Sequence, residues 1–258
     1  MITFVAYPEV VVEAALRAVA TATELIDLRR HSGEHPRIGA TDVLPFVPVT
    51  GVKMEQCIAL AHEAGRRIWN ELSIPVYFYE RAALRSDRAR LEHVRGKGFE
   101  QLGKEIATNP DRLPDVGEPR LHPTAGAIAV GARPFLIAFN VNLRTSDLML
   151  ARRIARAIRE RDGGLPFVKA LGFELHSRGL VQVSMNLIDY EQTSMAQVFA
   201  AVSREATGLG IEVAGAEIVG LLPSAALDRT AAYFPLLENF RESLVLENLL
   251  QTAESRHK

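Results

Sequence analysis

The 258-residue chain sets 30 Lys and Arg against 31 Asp and Glu, so nothing in its net charge calls for a nucleic-acid or anionic membrane surface. A single cysteine, Cys57, excludes an internal disulfide framework and a clustered thiolate zinc site, and fits a reducing compartment. No run is long and apolar enough to span a bilayer, and no basic segment precedes an apolar signal core at the start, so the expected location is cytoplasmic.

In chain order, "MITFVAY" at 1–7 predicts a short opening strand. Pro8 can open the helix that follows, because an early helical position needs no backbone donor. Val12, Leu16, Val19 and Ile26 share one helical face, with an end expected near Arg29 and Arg30. "DVLPFVPV" is apolar and extended, but Pro45 and Pro48 suit an edge or bulged strand better than a central one. Residues 53–72 predict a helix striped by Met54, Ile58, Ala61, Ile68 and Leu72, with Trp69 and Cys57 as core side chains beside the stripe. "SIPVYFYE" predicts a strand. The basic stretch 81–98 predicts either a solvated helix or an anion-attracting wall. Residues 107–125 are proline-rich and aperiodic, a long loop of the kind that often carries function.

From residue 134 the pattern is strand, helix, strand, strand, helix, strand: "PFLIAFNVNL", "SDLMLARRIARAIRER" capped by Thr145 or Ser146 and stopped at Gly163 and Gly164, "FVKALGFELH", "GLVQVSMNLID", "TSMAQVFAAVSREATGLG" and "IEVAGAEIVGLLP". The two middle strands, joined around Ser177 and Gly179, predict an antiparallel pair, and the order is that of a ferredoxin-like unit. The tail 224–250 predicts further helix, broken at Pro235. The fold class is therefore α/β (α+β): two subdomains, 1–133 and 134–258, each a mixed or antiparallel sheet with helices on one side, the second ferredoxin-like.

The ionisable chemistry gathers in "DLRRHSGEHPRIGATD" at 27–42. His31 and His35 are four apart, but Gly33 and Pro36 break the helix that a metal pair would need, and no third ligand is evident. His35 titrates near neutrality and suits acid–base work; Pro36 restricts it to extended backbone. Arg37 supplies a planar fork for a carboxylate. A surface loop with an idle histidine has the same composition. Asn140 and Asn142 share a strand face, and Asn186 lies near the end of another strand; such amides suit either a heterocycle with amide-like edges or a structural network.

"RHSGEHPRIGATDVLPFVPV" resembles the signature of the formiminotransferase family. "ELSIPVYFYE", "GARPFLIAFNVNL", "LVQVSMNLIDYE" and "AEIVGLLPSAAL" resemble its later segments in the same order. The resemblance implies transfer of a formimino group between N-formimino-glutamate and tetrahydrofolate, in histidine breakdown, by two α/β subdomains with the folate between them. It places the catalytic histidine on His35 and the folate-contacting loop on Val116, Gly117, Glu118, Pro119, Arg120, Leu121, His122, Pro123, Thr124 and Ala125. Asn140, Asn142 and Asn186 join the folate-contacting set. Arg37 and the arginines of 81–95 become candidates for the substrate carboxylates. No metal is implied, since the formimino carbon is already electrophilic. The partners are these small molecules, with no nucleic acid and no membrane; a homodimer is the expected assembly. Set against the family, the sequence starts abruptly, which predicts a first subdomain lacking its initial strand, helix and acidic residue, and a chain without a cyclodeaminase domain. Two rival readings remain: a folate-binding homologue without turnover, and a formiminotransferase for another amino acid.

Overall fold

The computed structural model describes residues 2–31 and 36–255, which divide into two compact units, 1–134 and 135–258. In the first, residues 2–7 form no strand, since no described strand pairs with them; Tyr7 O instead accepts from Val10 N and Val11 N at the start of the helix that follows. Helix α1, Pro8–Leu25, opens on its proline as expected and buries Val12, Ala15, Leu16 and Val19. It stops before the arginines, and Leu28–Arg30 form a separate 3-10 turn capped by the Asp27 carboxylate. Strand β1 is Val43–Phe46, helix α2 Met54–Leu72 and strand β2 Val76–Glu80. The basic stretch is not one helix: a 3-10 turn, Ser86–Arg88, precedes short helix α3, Leu91–Arg95, and α4 is Phe99–Glu105.

Strand β3, Ile128–Ala132, closes this unit and lies at the centre of its sheet, in the order β1-β3-β2. Both pairings are parallel, rather than mixed or antiparallel, and β1 is the edge strand its prolines predicted. Parallel strands need crossovers, which cover both faces. One face packs Ile128, Val130, Val76 and Phe78 against α1 and α2. The other packs Tyr77, Tyr79 and Ala129 with Val94 of α3 and Leu102 of α4.

The second unit has strand β4, Ile137–Leu143, helix α5, Leu148–Ile158, strands β5, Val168–Leu175, and β6, Leu180–Leu187, helix α6, Met195–Gly208, and strand β7, Val213–Val219. The sheet is antiparallel in the order β5-β6-β4-β7, the ferredoxin-like arrangement expected. Asp147, not Thr145 or Ser146, caps α5. Phe139, Val141, Val183 and Ile218 face α5 and α6 in one core. The tail departs from expectation: residues 224–245 are loop with three short 3-10 turns, and only α7, Leu246–Ser255, is α-helical.

Candidate functional site

The motif loop and the 116–125 loop meet in unit 1. His35 falls outside the described residues; the segment from Pro36 onward is described. Ile38 O accepts from Ala127 N at 2.8 Å, and Ala40 N donates to Ala125 O at 2.9 Å. Leu28 N, upstream of the motif, donates to Thr124 O at 2.8 Å. Gly39 bridges Gly126; a Cβ on Gly39 would stand 1.8 Å from Ala127 O, so only glycine allows this approach. Asp42 holds the loop from its far side: Oδ1 accepts from Ile38 N at 2.8 Å and Oδ2 from Arg95 Nε at 2.9 Å.

The 116–125 loop is anchored at both ends. Val116 pairs with Val76 of β2. Just before it, Asp115 Oδ2 accepts from Phe78 N at 2.7 Å, and Asp115 Oδ1 stands 2.6 Å from Arg88 Nη1, both side chains about 95 per cent buried. Gly117 has φ +103, and a Cβ there would enter the Trp69 ring at 2.5 Å; Trp69 is thus a wall beneath the loop. Glu118 and Arg120 pair at 2.7 Å on the surface, leaving both side chains exposed. Leu121 packs on the second core of the unit. His122 closes the turn: its backbone pairs with Gly126, while its Nδ1 accepts from Ala125 N at 3.0 Å. That bond fixes the neutral ring with its proton on Nε2, and burial holds the ring's pKa below the usual histidine value. Ala125 is 2 per cent exposed and belongs to the core.

Arg37 is not a free fork. Nη2 donates to Glu100 Oε1 at 3.0 Å and Nη1 to Oε2 at 3.4 Å, with a further contact to His31 O. Its Nε is buried without a partner. The Glu100 carboxyl lies below the usual carboxylate range, through its own backbone N–H first and Arg37 second. Among the arginines of 81–95, Arg85 pairs with Asp87 and Asp111, Arg88 with Asp115, and Arg95 with Asp42. Arg81 and Arg90 are exposed. Cys57 is 3 per cent exposed, and burial pushes its thiol pKa up, as befits a core residue.

In unit 2 the amides share one sheet face, away from α5 and α6. Register places Asn142 opposite Gln182, Asn140 opposite Ser184 and Ala138 opposite Asn186, and cross-strand partners point to the same side. Asn186 is exposed, Asn140 is 8 per cent exposed and Asn142 is fully buried. Asn142 Oδ1 accepts from Gln182 Nε2 at 2.8 Å, and Asn142 Nδ2 donates to Glu238 Oε2 at 3.4 Å. Arg178 grips Glu238 at 2.7 and 2.8 Å and holds its carboxyl below the usual range. Arg178, Gln182, Glu217 and Glu238 were not anticipated from sequence. Gln182 could have been found, being a polar residue in an apolar strand; Glu238 lies 96 residues from Asn142 and carries no local signal. Among the described residues, no three His, Cys, Asp or Glu side chains gather as metal ligands, and no helix is long and apolar enough to cross a membrane.

A parallel sheet-and-helix unit followed by an antiparallel, ferredoxin-like one defines a two-subdomain α/β protein. The family model described as "Formiminotransferase domain, N-terminal subdomain" matches residues 1–133, and "Formiminotransferase domain" matches 138–251. The chain belongs to the formiminotransferase family. It is 46 per cent identical over 255 residues to a glutamate formimidoyltransferase of Thermoplasma acidophilum, covering 98 per cent of this chain and 84 per cent of that protein. A Streptococcus pyogenes glutamate formimidoyltransferase is 42 per cent identical over 239 residues, 92 per cent of this chain and 80 per cent of the relative. A mouse formimidoyltransferase-cyclodeaminase is 43 per cent identical over 260 residues, covering 96 per cent of this chain and 48 per cent of its own length. These matches correct one expectation. The N-terminal subdomain is matched from residue 1, so the reading of a first subdomain lacking its start does not hold. That reading rested on the expectation that family members carry a further strand, helix and acidic residue ahead of "MITFVAY"; the family match that begins at residue 1 overturns it.

Proposed function

We propose that the chain is a glutamate formimidoyltransferase, moving the formimino group between N-formimino-L-glutamate and tetrahydrofolate in histidine degradation, with tetrahydrofolate as co-substrate. The observation that carries this is the 46 per cent identity to a glutamate formimidoyltransferase over nearly the whole chain. Supporting it, the two segments most like the family's signature and folate loop are bonded to each other in unit 1. The units correspond to the two formiminotransferase subdomains, 1–133 and 134–258. The protein acts on small molecules in the cytoplasm, as a homodimer, with neither nucleic acid nor membrane as partner.

The chain's residues take these roles. Transfer removes a proton from the attacking folate nitrogen and delivers one to the departing glutamate nitrogen. His35 carries both in turn, a shuttle worth about 10²–10⁴-fold. Residues 116–124 line the folate, with His122 holding the turn, Trp69 backing Gly117 and the buried Ala125 fixing the end of the loop to the core. Asn140, Asn142 and Asn186 form the amide-bearing face. Arg37 receives a substrate carboxylate in place of Glu100, whose side chain is 63 per cent exposed and free to leave. No step calls for a metal.

The test is initial-rate transfer to tetrahydrofolate from N-formimino-L-glutamate, N-formimino-L-aspartate and N-formimino-glycine in parallel. The reading expects the highest kcat/KM for the glutamate donor. A higher value for another donor would move the assignment to that amino acid. Tight folate binding without turnover of any donor would leave a folate-binding homologue.

A further inference from the structure

One buried acceptor in unit 2 has no partner. Asn140 Oδ1 is closed off from solvent and makes no hydrogen bond, although native proteins pair nearly all such groups. The groups around it are engaged. Gln182 Nε2 donates to Asn142 Oδ1 at 2.8 Å and to Glu217 Oε2 at 3.2 Å, and Arg178 is bound by Glu238. None of these donors turns to Asn140.

Glu217 is the residue directly opposite Asn140 on β7. Side chains so paired stand about 4.5–5.5 Å apart at Cβ, on the same face. Glu217 keeps 27 per cent exposure, and its Oε1 is 3.7 Å from Arg178 Nη1, too far for a hydrogen bond. It retains accepting capacity. Two acceptors, one neutral and one charged, therefore stand on the same face: Asn140 Oδ1 has no protein donor, and Glu217, which accepts from Gln182 at Oε2 and lies in ion-pair range of Arg178 at Oε1, keeps Oε1 without a hydrogen bond.

We infer that Asn140 Oδ1 and Glu217 Oε1 form an acceptor pair that reads a donor–donor edge of the ligand, the 2-amino and N3–H groups of a pterin ring. This rests on the folate reading above and deepens it. The pterin edge offers two adjacent, roughly parallel N–H donors; a single carbonyl satisfies one, and a carbonyl beside a carboxylate satisfies both. Asn142 is engaged at both ends of its amide and acts as a positioning residue, holding Gln182 and through it Glu217. Asn140 Oδ1 has no exposed surface without ligand, so binding brings a local adjustment around it, of the kind common when complexes form.

The experiment is titration calorimetry on the full chain with three probes: 5-formyl-tetrahydrofolate, its 2-desamino-2-methyl counterpart, and p-aminobenzoyl-L-glutamate, which has no pterin. Asn140→Leu is expected to weaken 5-formyl-tetrahydrofolate by roughly 10- to 100-fold, the effect of withdrawing a buried partner. The 2-desamino-2-methyl compound, already missing one donor, is expected to lose less than about threefold on the same change, since the two deletions remove one interaction. Glu217→Gln exchanges a charged acceptor for a neutral one and is expected to cost about fivefold. Because Asn140 Oδ1 is unpaired without ligand, Asn140→Leu should leave the melting temperature of the unliganded protein unchanged or higher; a purely structural asparagine would lower it. Equal binding of 5-formyl-tetrahydrofolate by wild type and Asn140→Leu overturns the inference and leaves the folate reading standing. So does an equal loss for the two pterins. Failure of the wild type to bind any of the three removes the folate reading and this inference with it.

Discussion

Replacing Asp115 with Asn should show how firmly the 116–125 loop is anchored. The change keeps the side chain's shape and its acceptor for Phe78 N, 2.7 Å away, but removes the charge facing Arg88 at 2.6 Å. At an effective dielectric constant of 20, unit charges about 4 Å apart attract by roughly 4 kcal/mol. Removing one member of a buried pair typically costs about 3–5 kcal/mol, because the other charge stays buried. Two features place the cost at the lower end. Arg88 also donates to the carbonyls of Asp111 and Leu113 and lies over the Tyr77 ring. Its Nη1 is close to Asp115 without being aimed at it, so the attraction is Coulombic rather than a directed bond. The expected loss is about 3 kcal/mol, read as the shift of a urea unfolding curve with unchanged slope. Arg88→Met with Asp115→Asn should recover at least about 1 kcal/mol relative to the sum of the single changes. A single-variant loss below about 1 kcal/mol, or strict additivity, would refute the buried-pair argument.

Gly39→Ala drives a methyl to 1.8 Å from Ala127 O, roughly 1.5 Å inside ordinary contact; parting the strands there should cost about 2–4 kcal/mol, and an unfolding midpoint equal to wild type would contradict the close approach. His122 gives a pH signature. Its pKa is lowered in the folded protein by burial, so the unfolded chain takes up the proton first as pH falls. The stability His122 contributes is complete above its unfolded pKa and is lost as pH falls through the folded one. His122→Gln keeps an acceptor but does not titrate, so its midpoint should fall less than that of wild type between pH 7.5 and 5.5; parallel curves would remove His122 from the account.

The helices with a clear apolar stripe were legible. Pro8 marked the start of α1, and the spacing of Met54, Ile58, Ala61 and Ile68 located α2. Unit 2 was legible as an order of elements because Ser177 and Gly179 punctuate two runs of alternating residues. Strand β3 was missed: "IAVGA" is buried at every position, as a central parallel strand should be, so it has neither alternation nor large side chains to mark it. The basic stretch misled because Arg85, Arg88 and Arg95 answer to Asp111, Asp115 and Asp42, not to a helical period. At the site, spacing alone placed Asn140 and Asn142 on one face. The partners that decide what each group can do lie 40 to 96 residues away, as with Arg37 and Glu100, Gln182 and Asn142, or Asn142 and Glu238. No local pattern encodes those distances.

The central claim is that this chain transfers a formimino group to folate using His35. It is tested most directly by the initial rate of 5-formimino-tetrahydrofolate formation from N-formimino-L-glutamate and tetrahydrofolate, for wild type and His35→Ala, alongside 5-formyl-tetrahydrofolate binding by both. The account predicts glutamate released in step with folate product. It also predicts that kcat and kcat/KM fall together by about 10²–10⁴-fold in His35→Ala, with folate affinity little changed. Wild-type protein that forms no product, or a His35→Ala variant that keeps more than about a tenth of the rate, would contradict it.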